Sequence, residues 1–129
     1  MRVIMFQPRF HGLIRSEVKR STIRKSARCK PGDELSLRAW SGKAYRSKQI
    51  ELRPAICKSV TRITIGISSQ DNFWVLRHRH EGSELMNASN LEHLARIEGF
   101  ESAAEMREWF VANHKLRPGI GIEAEQIQW

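Results

Sequence analysis

Lys30-Pro31-Gly32-Asp33-Glu34-Leu35-Ser36-Leu37-Arg38-Ala39-Trp40 moves from a turn to a strand without a break. Pro31 presets the first central position of a tight turn, and Gly32 accepts positive φ at the next. Beyond it, Leu35, Leu37 and Ala39 alternate with Glu34, Ser36, Arg38 and Trp40, the period of a strand with one buried face. Upstream, Val3 to Phe6 suits a buried opening strand. Phe10, Leu13, Ile14 and Val18 then fall at spacings of three and four, so residues 10–19 read as a short amphipathic helix. Thr22, Ile23 and Arg24 read as extended. Downstream, residues 49–52 and 55–66 read as strands, the second rich in β-branched residues and broken by Gly66, with another strand over 73–77. Ser89-Asn90-Leu91-Glu92 and Ser102-Ala103-Ala104-Glu105 each carry the Ser and Glu of a capping box and open two helices, the first stopped by Gly99. In the second, Met106, Trp109 and Phe110 share a face that reads as core. After Pro118-Gly119, Ile120 to Trp129 reads as a last strand. The order is strand, helix, several strands, helix pair, strand. That pattern predicts an α+β fold, a small mixed or antiparallel sheet curling toward a barrel.

The chain has 129 residues, enough for one core and one domain spanning 1–129. No apolar run approaches the roughly 18 residues of a membrane span, and no signal peptide is evident, so a soluble chain with no membrane partner is expected. The two cysteines, Cys29 and Cys57, make neither a zinc site nor a disulfide framework. A reducing cytoplasm is the expected compartment. Against 14 acidic residues stand 22 Lys plus Arg, a net charge of +8. The excess is uneven: residues 1–62 hold 16 basic and 4 acidic side chains, residues 63–129 hold 6 and 10. One basic half among Ile, Leu, Val and Trp points to an anionic partner of the folded domain, nucleic acid or a nucleotide foremost, although such charge also serves solubility alone.

The chain lacks a Gly-rich phosphate loop, a His-Glu-x-x-His helix, a Cys-x-x-Cys pair and a nucleophile elbow. No cofactor is called for. His78-Arg79-His80 could offer two ligands to a metal but has no evident third, so no metal is expected. Cys29, between Arg28 and Lys30, has no histidine positioned as its base. Lys19-Arg20-Ser21-Thr22-Ile23-Arg24 differs, because it gathers an amine, hydroxyls and a guanidinium at a helix-to-strand junction. A desolvated lysine beside other cations has a lowered pKa, and its neutral amine can take the proton of the Thr22 hydroxyl. Arg24 would share the side of Thr22 on an extended strand and could hold a carbonyl or phosphate oxygen. The alternative is a basic helix end that only contacts phosphates. The segment Trp40 to Lys48 combines Trp40 and Tyr45 with Lys43, Arg46 and Lys48. It reads either as a base-stacking, phosphate-neutralising loop or as a hairpin whose aromatics fold back on the protein.

Lys19-x-x-Thr22-Ile23-Arg24, then Lys30-Pro31-Gly32-Asp33-x-Leu35-x-Leu37, then Glu98-Gly99-Phe100-x-Ser102 and Glu105-Met106-x-x-Trp109-Phe110, together resemble the ASCH family of PUA-like domains. The resemblance runs over most of the chain and implies a small PUA-like β-barrel with helices packed across its openings, and an RNA or modified-nucleoside partner. One branch, the bacterial N4-acetylcytidine amidohydrolases, uses a lysine, a threonine and a glutamate. Carried over, these fall on Lys19, Thr22 and Glu98: Thr22 attacks the amide carbonyl, Lys19 receives its proton, and Glu98 assists the departing amine or positions water. Arg24, Trp40, Tyr45 and Lys48 would bind substrate. A second branch is linked to RNA cleavage, in which Tyr45 and Lys48 would act as acid, base or phosphate ligands. A third possibility is an RNA-binding module without turnover. Oligomeric state is not legible.

Overall fold

The turn at Lys30–Asp33 forms as its residues dictate. Gly32 sits at φ +94° and the Asp33 N–H donates to the Lys30 carbonyl at 3.1 Å. The Asp33 carboxylate accepts from the Lys30 N–H at 3.0 Å, closing the turn from the other side. The computed structural model describes residues 1–129. In chain order the elements are β1 (Arg2–Met5), α1 (Pro8–Arg15), β2 (Ser21–Arg24), β3 (Glu34–Trp40), β4 (Gln49–Ile56), β5 (Ser59–Ile67), β6 (Phe73–Arg79), β7 (Gly82–Leu85), α2 (Ala88–Ile97), α3 (Ala103–His114) and β8 (Ile122–Gln128).

The fold is α+β. Its strands form a three-stranded sheet in the order β1-β3-β4 and a five-stranded sheet in the order β2-β8-β5-β6-β7. No hydrogen-bonded ladder joins the two into a closed barrel, which corrects that part of the expectation. In the smaller sheet β1 runs parallel to β3, with Ile4 opposite Leu37, and both side chains enter the core. In the larger sheet β8 lies antiparallel between β2 and β5: Thr22 opposes Ile127, which in turn opposes Val60. One core of buried aliphatic and aromatic residues runs between the layers, including Leu35, Ile63, Val75, Met106 and Ile127.

Several boundaries differ from the reading above. The first helix begins at Pro8, whose fixed φ suits the first helical position, and ends at Arg15, before Glu17 turns to φ 66°. The expected strand over 55–66 is two strands, because Cys57 and Lys58 make the corner between β4 and β5. Gly66 does not break β5. It stands opposite Trp74, and a Cβ there would fall 2.1 Å from the indole Cζ2, so the glycine makes room for the ring. The strand over 73–77 extends to Arg79, and β7 follows it, unforeseen. The last strand covers 122–128. Helix α2 is capped by Asn87, whose side chain accepts from the Asn90 N–H at 2.8 Å, rather than by Ser89. Glu92 instead accepts from the Ala103 N–H at the start of α3, at 3.1 Å. Ser102 caps α3 as expected, accepting from the Glu105 N–H at 3.1 Å.

Candidate functional site

Helix α2 ends in a way that delivers Glu98 inward. Glu98 is its C-cap, and the Gly99 N–H donates to the Arg96 carbonyl at 3.0 Å while the Phe100 N–H donates to that of Ala95 at 2.8 Å. These two bonds make a Schellman termination, which favours glycine at the left-handed position. Gly99 has φ +96°, and a Cβ on it would come within 3.2 Å of Lys19 Cδ and 3.3 Å of Phe10 Cδ1. Conformation and space therefore both require glycine here.

Lys19 arrives from the opposite side. After α1 the chain turns back so that the Lys19 N–H donates to the Leu13 carbonyl at 3.0 Å, and the Arg20 N–H donates to the Ile97 carbonyl at 2.8 Å. The buried Lys19 ammonium donates to the Glu98 backbone carbonyl at 2.5 Å and lies 3.9 Å from its carboxylate Oε1. A cation at a helix C-terminus meets orphan carbonyls and the negative end of the dipole, so Lys19 caps α2 as well as pairing with Glu98. Its Nζ also stands 4.5 Å from the Phe10 ring centroid and 5.9 Å from that of Phe6.

Burial sets the acid–base character of this pair. Desolvation brings Lys19 from 10.5 down to about 8; Glu98 opposes the shift, and Arg24 and Arg9 reinforce it. Desolvation raises Glu98 from 4.5 to about 7, against the pull of Lys19, Arg24, the Gln126 side chain and the Ile23 backbone. Burial thus drives the proton affinities of the two groups toward each other from opposite sides. Thr22 is buried on β2, and its hydroxyl oxygen accepts from Arg24 Nε at 3.1 Å, which leaves its own proton to be given elsewhere. Arg24 also donates from Nη2 to the Met5 carbonyl at 2.8 Å and lies 4.9 Å from the Phe6 centroid. Burial and the neighbouring Arg2 bring it down to about 10, with Glu98 opposing.

Lys19, Thr22, Arg24 and Glu98 line one cavity of about 250 Å³. Its walls are aromatic: Phe10, Phe100 and Trp109 stand edge-to-face or tilted with centroids 5.7 to 5.9 Å apart, and Phe6 and Phe110 complete them. Asn113 and His114 also line it, and His114 is held below its ordinary pKa by burial and by Arg24. Two buried polar atoms of the lining have no hydrogen-bond partner, the acceptor Glu98 Oε2 and the donor Trp109 Nε1. An apolar cavity with a few convergent polar groups of perturbed pKa is what a small-molecule site requires.

The other expected binding residues lie elsewhere. Trp40, Tyr45 and Lys48 are at the tip of the β3–β4 hairpin and do not line this cavity. The tip is stapled by Ser41 N–H to Lys48 carbonyl at 2.8 Å and by the Ser47 hydroxyl, which accepts from Gly42 N–H and donates to the Lys43 carbonyl. There Trp40 and Tyr45 pack on each other, centroids 5.0 Å apart, with Tyr45 88% exposed. His78 is held by the hydroxyls of Thr64 at 2.7 Å and Ser83 at 2.8 Å. The aromatic lining escaped sequence reasoning. Trp109 and Phe110 read as core, and only Gly99-Phe100 directly after Glu98 hinted that a ring stands beside the carboxylate.

No protein-family model, curated protein or solved structure matches the chain. Fold and site define its class: an α+β domain with a buried lysine–glutamate pair and a threonine facing one aromatic cavity.

Proposed function

We propose that the chain is a PUA-like domain of the ASCH type that takes a modified nucleoside into the Lys19 cavity and hydrolyses an N4-acyl cytidine amide. The observation that carries this reading is convergence: Lys19 and Thr22, three residues apart in sequence, share one buried cavity with Glu98 from the far end of α2. The aromatic walls suit a planar base, and the unpartnered Trp109 Nε1 and Glu98 Oε2 offer it one donor and one acceptor.

In this mechanism a proton passes from Lys19 to the Glu98 carboxylate, leaving a neutral amine and a carboxylic acid, the forms that burial favours for both groups. Lys19 then takes the Thr22 hydroxyl proton as Thr22 Oγ1 attacks the acyl carbon. Arg24 Nε, already on Thr22 Oγ1, stands next to the developing oxyanion. The C–N bond breaks as Glu98 protonates the departing N4 amine, which leaves cytidine and an acyl ester on Thr22. Water, its proton accepted by the Glu98 carboxylate, attacks the ester carbon. The bond to Thr22 Oγ1 breaks as the Lys19 ammonium returns its proton to that oxygen, which releases the free acid and restores the starting threonine, amine and carboxylic acid.

Incubation with N4-acetylcytidine, followed by chromatography, tests the scheme. The expected result is equimolar cytidine and acetate, with Thr22→Ala and Lys19→Ala reducing turnover at least 100-fold by removing the nucleophile or its base, on the order of general-base effects. No turnover by the folded wild type, or turnover retained by Thr22→Ala, would overturn it. A second reading, binding or cleavage of an RNA strand, draws on the exposed Trp40–Tyr45 pair beside Lys43, Arg46 and Lys48 at the hairpin tip. It predicts RNA fragments whose formation is lost in Tyr45→Phe or Lys48→Ala, or RNA binding without fragments.

A further inference from the structure

A cavity larger than the one that holds Lys19 lies elsewhere in the molecule. It is a half-open cleft of about 870 Å³ between α2 and the strands β5, β6 and β8. Strand register fixes which side chains share its sheet wall. Thr61 opposes Gln126, and Ile63 opposes both Ala124 and Arg77, so Thr61, Gln126, Arg77 and Arg79 belong to one face of the sheet. Their neighbours on that face, Ile63 and Val75, are in the core. From α2 come Asn90, His93, Leu94 and Ile97, at the spacing of one helix side. Leu94 and Ile97 are buried, while Asn90 and His93 are exposed.

The charge on this wall is unbalanced. Arg77 and Arg79 stand on it, Arg62 reaches the cleft only from the opposite face of the sheet, where it is paired in register with Glu125, and no aspartate or glutamate lines the cleft. Arg77 is half-buried, and its guanidinium reaches only the Met86 sulfur, at 4.0 Å. Arg79 approaches the carboxylate of Glu84, on the exposed strand β7, no closer than 3.9 Å. Two guanidiniums two residues apart on one strand face repel each other, and neither makes a hydrogen bond to a carboxylate, the one nearby being Glu84, opposite Arg77 in register. A phosphate group satisfies both requirements, since it neutralises the pair and accepts bidentate hydrogen bonds. Farther along the sheet wall the Gln126 amide, whose Nε2 donates to Ser21 Oγ at 3.3 Å, and on the helix wall the exposed Asn90 amide are groups that pair with the donor and acceptor edges of a base, above the apolar Leu94 and Ile97.

We propose that this cleft is a binding site for a nucleoside phosphate, with the phosphate held by Arg77 and Arg79 and the base directed toward Gln126 and Asn90. The nucleoside phosphate is either free or one unit of a nucleic-acid strand. The proposal does not depend on the chemistry of Lys19, Thr22 and Glu98. Gln126, which lines the cleft, turns its side-chain amide to the Ser21 hydroxyl at 3.3 Å, on the strand that carries Thr22.

The test is an NMR titration of the ¹⁵N-labelled full chain at low salt with uridine, uridine 5′-monophosphate and an oligouridylate. Amide shifts in β6 and α2 are expected with a phosphorylated ligand and not with uridine. Shifts with both phosphorylated ligands assign the cleft to the free nucleotide, and shifts with the oligouridylate alone assign it to a strand. The double variant Arg77→Gln/Arg79→Gln should bind at least tenfold more weakly, with the double lysine variant retaining most of the affinity through its charge. The proposal is overturned if neither phosphorylated ligand moves these amides, if uridine binds as well as its monophosphate, or if the folded glutamine variant keeps wild-type affinity.

Discussion

Glu98 and Lys19 are each pushed by burial toward the neutral form, and the consequences for stability and for rate can be separated. Between pH 4.5 and about 7 the folded chain keeps a proton on Glu98 that the unfolded chain has lost, so this group lowers stability as pH rises through that window. For Lys19 the unfolded chain keeps the proton between about 8 and 10.5, so stability recovers as pH rises there. The pair therefore costs most stability between about pH 7 and 8. Replacing both by uncharged side chains of similar shape, Lys19→Met/Glu98→Gln, should gain on the wild type progressively from pH 4.5 to 7, as measured by urea unfolding. A pH-independent difference would show that the pair does not govern the profile. The proposed hydrolysis needs a neutral Lys19 and a protonated Glu98, so its rate should follow a bell with a maximum between pH 7 and 8. Glu98→Gln removes the group that raises the Lys19 pKa and should shift the alkaline-rising limb to lower pH, while reducing the maximum.

Among the elements, glycine and cap positions carry the sharpest expectations. Gly66→Ala would place a methyl inside the Trp74 indole and should cost about 1–3 kcal/mol of stability, with a shift in tryptophan emission as the ring is displaced. Ser102→Ala removes the cap of α3 and should cost about 1 kcal/mol by the same unfolding measurement. What the sequence revealed follows local physics. The Pro31-Gly32 turn, the alternating strand after it and the Ser102 cap were legible because short-range contacts decide them. Strand β7 was not, since Gly82–Leu85 is exposed throughout and so shows no alternation. The start of α2 was misplaced because Asn87 competes successfully for the cap and Glu92 serves the next helix. Lys19, Thr22 and Arg24 stood out as a cluster of polar types at a junction. Glu98 came only through resemblance: an acid at a helix end looks solvent-facing until the segment after α1 docks on it. Trp109 was read as core because periodicity registers that a ring is covered, not that one of its edges borders a cavity.

At the scale of the molecule, the basic first half and the cationic cleft contributed by β5 and β6 give the protein two positive regions. If it binds single-stranded RNA, log affinity should fall against log salt by about 0.7 per phosphate neutralised, as read by fluorescence anisotropy over a salt series. A flat dependence would leave the charge to solubility. The two sheets also impose an order of events. Strand β8 is made after every other element, yet in the larger sheet it lies between β2 and β5. Until residues 122–128 emerge from the ribosome, β2 has no partner, and β5 exposes an unpaired edge built of Val60, Thr61, Ile63 and Thr64. Nascent chains should therefore depend on holding chaperones until β8 has emerged, and Thr22 should reach its place only then.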